Sequence, residues 1–359
     1  MTRTRMLVAA IGTVLAAAAA LAWWQRVPIG MALMAREIDA RATVTDPLAA
    51  LPDGLHVGLC GTGSPMPDER RAGPCTVVVA GHRMFVIDAG AAAARNIVLM
   101  RLNVGQVEAL LLTHYHSDHI DGVGEMLLQR WVQRTAKEPL PVYGPQGLEQ
   151  VIDGFTRAYT PDRGYRIAHH GQDVLPPPGF GAQPRPFVIA AGERKVLVSE
   201  PDLEIVAFAV EHEPVHGAVG YRIRYKDRSI VVSGDTRRSD AVLRESKGAD
   251  LLLHEALSPA MSGMFRSSFD KVGRQSIAKV FHDILDYHTS PQQAAEIAQA
   301  AGVRMLVLHH IIPVLPPGFE DVFLENTQAI YRGPVHVGVD GDWFTLPAGS
   351  AKIEVGRRP

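Results

Sequence analysis

Between Thr113 and His119 the chain reads Thr-His-Tyr-His-Ser-Asp-His, which gathers His114, His116, Asp118 and His119 into one short run. Imidazoles and a carboxylate packed this closely desolvate one another at a cost, unless a bound cation takes up their lone pairs. Imidazole nitrogen combined with carboxylate oxygen suits zinc and, less selectively, iron or manganese. The alternate positions His114 and His116 can face one side of the loop while Asp118 and His119 face another. That split serves two metal ions roughly 3.5–4 Å apart. Two ions need further donors, and the ends of apolar runs are the places to look. Asp235 closes Ile230-Val231-Val232 within Ser233-Gly234-Asp235-Thr236, where its carboxylate can bridge both ions. His310 follows the apolar run 305–308 with His309 beside it, and His212 follows the run 203–210 with His216 as its rival.

Donors placed in this way need strands to carry them. Leu110-Leu111-Leu112 reads as a buried strand, and polarity switches abruptly at Thr113. Strands are expected at 55–59, 75–79, 84–87, 109–112, 203–210, 219–225, 229–232, 251–253, 305–308, 335–337 and 343–346. Helices are expected at 91–102, 119–134 and 291–301. Strands first, then helix-linked strands twice over, suit an α/β chain of two sheets packed face to face with helices outside. The stretch 163–194, rich in Pro and Gly with Pro176-Pro177-Pro178 inside it, reads as a long surface loop or lid.

The 359 residues carry a formal net charge of −2, so no overall basic footprint for nucleic acid is present, although a local patch remains open. Met1–Arg5 is basic and Met6–Trp24 carries no charge, the pattern of an export signal. Ala20-Leu21-Ala22 offers a cleavage site. The apolar run also approaches the ~20 residues that span a bilayer, so it can equally stay as an anchor with Trp23, Trp24, Gln25 and Arg26 at the interface. The expected organisation is therefore a signal peptide or membrane anchor at 1–30, a juxtamembrane helix and linker at 31–52, and a metal-binding domain at 53–350. The catalytic part is expected to be exported, either periplasmic or held at the outer face of the cytoplasmic membrane. Cys60 and Cys75 flank a Gly/Pro-rich loop and can pair in an oxidising compartment, but their spacing does not fix the geometry.

The His-x-His-x-Asp-His run, the Gly-Asp-Thr turn and the late histidine together resemble the metallo-β-lactamase superfamily, and within it the ribonuclease Z and arylsulfatase-like branch. Gly61-Thr62-Gly63-Ser64, Asp88-Ala89-Gly90, His254-Glu255-Ala256 and Tyr287-His288-Thr289-Ser290 extend the resemblance over nearly all of the chain after Leu55. It implies a four-layer αββα sandwich of two mixed sheets flanked by helices, with two Zn2+ at the sheet edges and Mn2+ or Fe2+ as other occupants. It implies one ion on His114, His116 and His212, a second on Asp118, His119 and His310, and Asp235 between them. His212 is preferred to His216 because His-x-Pro-Val followed by Gly220-Tyr221 looks like the family pattern. His310 is preferred to His309 because the family usually has Thr-His there.

The resemblance further implies a metal-bridging hydroxide as nucleophile, oriented by Asp118. His288 would stabilise the transition state or protonate the leaving oxygen, with Glu255 orienting it and raising its pKa. The plainer alternative is that His288 caps the helix at Pro291. Asp88 would hydrogen-bond the ligand loop or simply form an Asx-turn. His254, His169 and His170 read as structural or surface groups, and His282 as a core or face position of a helix.

The function implied is hydrolysis of phosphoric or sulfuric esters. A carboxylic ester, lactone or β-lactam hydrolase on the same site is the alternative, and an iron-dependent redox enzyme a more distant one. The partners expected are a small-molecule ester, a membrane through the N-terminal segment, and a second copy of the chain in a homodimer. Nucleic acid is not favoured: export removes the chain from tRNA, the net charge is not basic, and no Gly/Pro-flanked basic arm stands out.

Overall fold

The computed structural model describes residues 3–42, 46–133 and 137–358. It divides into two compact units, Met1–Pro47 and Leu48–Pro359. The first holds a single helix, α1 (Arg3–Ala42), of 40 residues. At ~1.5 Å per residue it is about 60 Å long. By length and composition it can cross a membrane. It continues without a break through residue 31, where the sequence suggests a boundary. Residues 43–45 of the expected linker and Arg134 of the expected helix lie outside the described residues.

In the second unit the chain first builds β1 (Gly54–Gly61), β2 (Cys75–Ala80), β3 (Arg83–Ile87), β4 (Val107–Leu111), β5 (Leu140–Pro145) and β6 (Ala182–Phe187). It then builds β7 (Arg194–Ser199), β8 (Leu203–Ala209), β9 (Val219–Tyr225), β10 (Arg228–Val232), β11 (Leu251–Leu257), β12 (Met305–Ile312) and β13 (Val335–Val337). Finally β14 (Asp342–Pro347) and β15 (Glu354–Arg357) return to the first sheet, which therefore runs past residue 350. The sheet orders are β15-β14-β1-β2-β3-β4-β5-β6 and β13-β12-β11-β10-β9-β8-β7. Both are mixed: β3 to β6 and β10 to β13 are parallel runs, and their neighbours are antiparallel.

Successive strand residues point to opposite faces, so one strand feeds two cores. Val78 joins Leu55, Val57, Ile205, Ile230 and Leu253 between the sheets. Val77 and Val79 face outward onto α2 (Ala93–Leu99), α3 (Ser117–Ile120), α4 (Val123–Val132) and α5 (Leu148–His170) through residues such as Ile97, Ile120, Met126 and Ile152. Beyond the second sheet lie α6 (Asp240–Glu245), α7 (Pro259–Lys271), α8 (Gln275–Asp283), α9 (Pro291–Ala301), α10 (Glu320–Leu324) and α11 (Thr327–Ile330). There Val242, Ala294 and Ile297 cover Val231, Leu252 and Leu306. The αββα sandwich expected from the motifs is what the chain forms.

The stretch 163–194 is not one loop. Its start lies in α5, its middle forms β6, and its last residue opens β7. Helical periodicity is faint because α5 buries only Leu148 and Ile152. Pro184 and Pro186 disguise β6, which tolerates them as an edge strand where half of the amides need no partner.

Cys60 and Cys75 are joined by a disulfide, with Cα atoms 5.0 Å apart across a sequence separation of 15. Closing a loop of that size removes disorder from the unfolded chain worth about 3 kcal/mol. Replacing both cysteines by serine should lower the unfolding free energy by about that much and steepen the slope, because the unfolded chain is then free to expand, in an equilibrium urea titration.

Candidate metal centre

The candidate residues leave the strands at one edge of the sandwich. β4 runs into Thr113–His119, β8 into His212, β10 into Asp235, and β11 carries Glu255 near its end. Because β10, β11 and β12 are parallel neighbours, their carboxyl ends open on the same side. The two sheets are tied together at this edge. The Val219 amide donates to the Thr113 carbonyl at 3.0 Å. The buried Tyr221 hydroxyl donates to the Leu112 carbonyl at 2.7 Å.

His310 does not end its strand, as its place after an apolar run suggests. β12 continues to Ile312, and the pairing with β11 slips by one between Glu255 and Ala256. His310 is the extra residue, with a positive φ of 48°. Such a bulge re-aims one side chain without ending the strand. Left-handed backbone in a non-glycine residue persists only where its surroundings hold it.

Two groups of donors result. Ligand atoms of His114, His116, His212 and Asp235 lie within 4.8 Å of one another, as do those of Asp118, His119 and His310. His114 Nε2 is 3.0 Å from His116 Nδ1, which is 3.4 Å from His212 Nε2. His310 Nε2 is 3.2 Å from Asp118 Oδ2, and His119 Nε2 is 3.6 Å from the same oxygen. Asp235 Oδ2 belongs to both groups: 3.2 Å from His310 Nε2, 3.3 Å from His119 Nε2, and 4.0 Å from Nε2 of His114 and of His212. Donors ~2.0–2.1 Å from one tetrahedral zinc ion stand about 3.3 Å from each other. The spacings therefore fit metal ions, with Asp235 shared.

The rings are fixed from behind. Asp88, at a positive φ of 57°, accepts from the Thr113 amide, the Thr113 hydroxyl and His119 Nδ1, each at 2.8 Å. The Thr113 hydroxyl, its proton so used, accepts from His114 Nδ1 at 3.0 Å. His212 Nδ1 donates to the Tyr287 carbonyl at 3.0 Å. Each of these contacts places the ring proton on Nδ1 and turns the Nε2 lone pair toward the cluster. His119 Nε2 is buried with no hydrogen-bond partner, the kind of orphan a cation satisfies. Burial pushes His212 down to about 4 and His114 well below its usual range, so both are neutral at pH 7 and ready to coordinate. Burial also weighs against a charge on His119, but the carboxylates of Asp235 and Asp88 outweigh it and hold its pKa up. Asp88→Ala should weaken metal binding by about 10–100-fold while leaving the donors present, read by competition with a chromogenic chelator.

Glu255 and His288 also meet, with His288 Nδ1 3.2 Å from Glu255 Oε1. The same oxygen accepts from the amides of Thr289 at 2.9 Å and Thr236 at 3.3 Å. His288 presents a ligand atom within 4.8 Å of Asp235 and His310, so it borders the cluster. It does not cap α9: Ser290 does so, in a capping box with Gln293. Glu255 does not raise the pKa of His288, contrary to expectation. Burial dominates, pushing His288 down to about 4 and the Glu255 carboxyl well above its usual range.

The other histidines weighed as candidates stand apart. His216, His169, His170 and His282 are exposed. His254 is buried, with Nδ1 2.8 Å from the Glu255 carbonyl. His309 is buried beside His310, and neither ring nitrogen has a partner. Sequence reasoning passed over Asp340, whose carboxylate accepts from the Thr62 amide at 2.9 Å, the Thr62 hydroxyl at 2.8 Å and the Ala72 amide at 2.7 Å. Asp340 thereby holds the loop between Cys60 and Cys75. Its position before Gly341 in a turn was the available signal.

Residues 68–282 match the family model described as the metallo-beta-lactamase superfamily. The chain is 36% identical over 288 residues to a protein named ribonuclease Z from Mycolicibacterium gilvum, covering 80% of this chain and 94% of that one. Two solved structures share the fold. The metallo-β-lactamase fold protein YhfI from Bacillus subtilis matches with a TM-score of 0.58 at 20% identity, over 85% of this chain and all (100%) of its own. The short form of human tRNase Z matches with a TM-score of 0.57 at 22% identity, over 81% and 99%.

Proposed function

The chain belongs to the metallo-β-lactamase superfamily and is a metal-dependent hydrolase, and from that premise we propose that it cleaves phosphoric diesters, or the sulfuric esters that resemble them, at a centre of two zinc ions. One observation carries the choice of ester: the hydrogen-bonded pair Glu255–His288 stands beside the donor cluster. The likeness to proteins named ribonuclease Z supports it.

In this reading His114, His116 and His212 hold one ion, Asp118, His119 and His310 hold the other, and Asp235 touches both. When bound, the ions supply Lewis acidity and lower the pKa of water toward about 7. The protein's own residues do the rest. Asp118 orients the attacking water as well as binding metal. Burial leaves the free ring of His288 neutral, so with Nδ1 held by Glu255 it must first take up a second proton on Nε2, as the negatively charged ester arrives, and then hand that proton to the leaving oxygen. Glu255 is the positioning residue that fixes the ring.

We read α1 as an export signal or anchor and place the catalytic unit outside the cytoplasm. The Cys60–Cys75 bridge supports this, since disulfides persist in oxidising compartments. An exported chain with a net charge of −2 is separated from tRNA, which favours a small-molecule ester. Fusing alkaline phosphatase after residue 47 should give active phosphatase in bacteria; an inactive fusion would place the chain in the cytoplasm. For the chemistry, bis-p-nitrophenyl phosphate, p-nitrophenyl sulfate, p-nitrophenyl esters and nitrocefin should be compared. Turnover of the diester is the expected result. Strong nitrocefin hydrolysis without diester turnover would overturn the reading in favour of a β-lactam substrate.

A further inference from the structure

The loop between Cys60 and Cys75 walls two adjoining clefts. One, of about 320 Å³, is lined by Asp118 together with Ser64, Asp68 and Arg71. The other, of about 350 Å³, is lined by five arginines: Arg70, Arg71, Arg95, Arg357 and Arg358. Asp68, Arg71, Ala72 and Ala92 line both clefts, so the groove that starts at Asp118 leads into the guanidinium groups.

Three carboxylates, Asp68, Glu69 and Asp340, share the arginine cleft, so the five guanidinium groups leave a formal excess of two positive charges there. Among the described residues only Arg71 of these five has a carboxylate within ion-pair reach, Asp68 Oδ2 at 3.8 Å. Asp340 lines the arginine cleft too, and its two oxygens accept from Thr62, Ala72 and Asn96, so its charge faces the cleft while its lone pairs build the wall. Arg71 is buried, and its Nε and Nη2 have no hydrogen-bond partner. A buried charged donor left over is costly until an acceptor reaches it. The neighbouring guanidinium groups are held in place. Arg358 stacks over Trp343 at 4.2 Å, Arg357 Nη2 donates to the Asp340 carbonyl at 3.0 Å, and Arg70 Nη2 donates to the Leu315 carbonyl at 2.6 Å. Arg95 projects from α2, exposed and without an ion pair. Planar, fixed guanidinium forks match the oxygens of a phosphate.

We propose that this arginine groove binds a second phosphate of the substrate, so that the diester cleaved beside Asp118 carries a further phosphate on one arm. The proposal rests on the phosphodiesterase reading above and narrows its substrate class. The test uses the full chain and two substrates differing only in that group: thymidine 5′-(p-nitrophenyl phosphate) and the same compound bearing a 3′-phosphate. The phosphorylated compound should have the higher kcat/KM by at least about tenfold, chiefly through KM. In the variant Arg95→Glu/Arg357→Glu that ratio should collapse to near one, and Arg95→Gln alone should reduce it should the double variant fail to fold. Equal kcat/KM for both substrates in the unaltered chain, or a ratio unchanged in the variants, would overturn the proposal. So would inorganic phosphate accelerating the unphosphorylated diester while the 3′-phosphate confers nothing, since the groove would then serve a free anion.

Turnover of neither compound would refute the diester reading instead. The groove then stands or falls on binding alone. Thymidine 3′,5′-bisphosphate should titrate onto the unaltered chain at least about tenfold more tightly than onto the variants, and equal affinity would refute the site.

Discussion

Replacing Asp235 by alanine is expected to strip both metal ions from the chain and to leave no measurable hydrolysis. Asp235 Oδ2 lies 4.0 Å or less from a nitrogen of His114, His119, His212 and His310, which no other carboxylate in the cluster does. It is also buried, so water cannot replace its charge. Burial opposes that charge, yet His310 and His119 outweigh it and hold the Asp235 carboxyl well below its usual range. The variant should retain its far-ultraviolet dichroism but lose the rise in melting temperature that zinc gives the unaltered chain, because a ligand stabilises only the state that binds it. His116→Ala should do less. His116 is partly exposed and reaches only one donor group, so one ion should remain while turnover is lost. Metal content by plasma mass spectrometry, taken with turnover of bis-p-nitrophenyl phosphate, separates these outcomes. An Asp235→Ala chain that keeps two ions would refute the shared-ligand assignment.

His288→Ala should show the opposite pattern, with full metal content and turnover reduced by about 10²–10⁴-fold, the range for lost acid–base assistance. The ring borders Asp235 and His310, but its Nδ1 is engaged by Glu255, which suits a group that acts on substrate. The loss should shrink for substrates with better leaving groups, since a p-nitrophenolate needs a proton less than an alkoxide does. Metal loss in this variant would make His288 a ligand. An equal loss across leaving groups would make it a structural residue. Glu255→Gln should keep the amide contacts from Thr236 and Thr289 yet weaken the hold on His288, and so reproduce part of the defect.

The donors other than His310 were legible in the sequence because they follow apolar runs that end abruptly, and buried strands in this architecture end at the site. The run 113–119, Asp235 and His212 could be placed from that pattern, and family order separated His212 from the exposed His216. Pattern could not show that β12 continues through His310. A bulge with left-handed backbone leaves no mark in the residue types, and His309-His310 looks like any strand end. The disulfide was undetermined for a related reason: two cysteines state that a bridge is feasible, while the neighbouring register of β1 and β2 brings them together. Residue types show that Glu255 and His288 can pair but not the burial that dominates the electrostatics of both groups. The arginine groove escaped because Arg70, Arg95 and Arg357 are far apart in sequence, and a net charge of −2 averages them away.

Zinc titration of the metal-stripped, full-length chain, followed by calorimetry at pH 7, tests the central claim most directly. The account predicts two equivalents bound per chain, with hydrolysis of bis-p-nitrophenyl phosphate rising as they bind. Saturation at one equivalent or none, in a chain whose dichroism shows it folded, would contradict it.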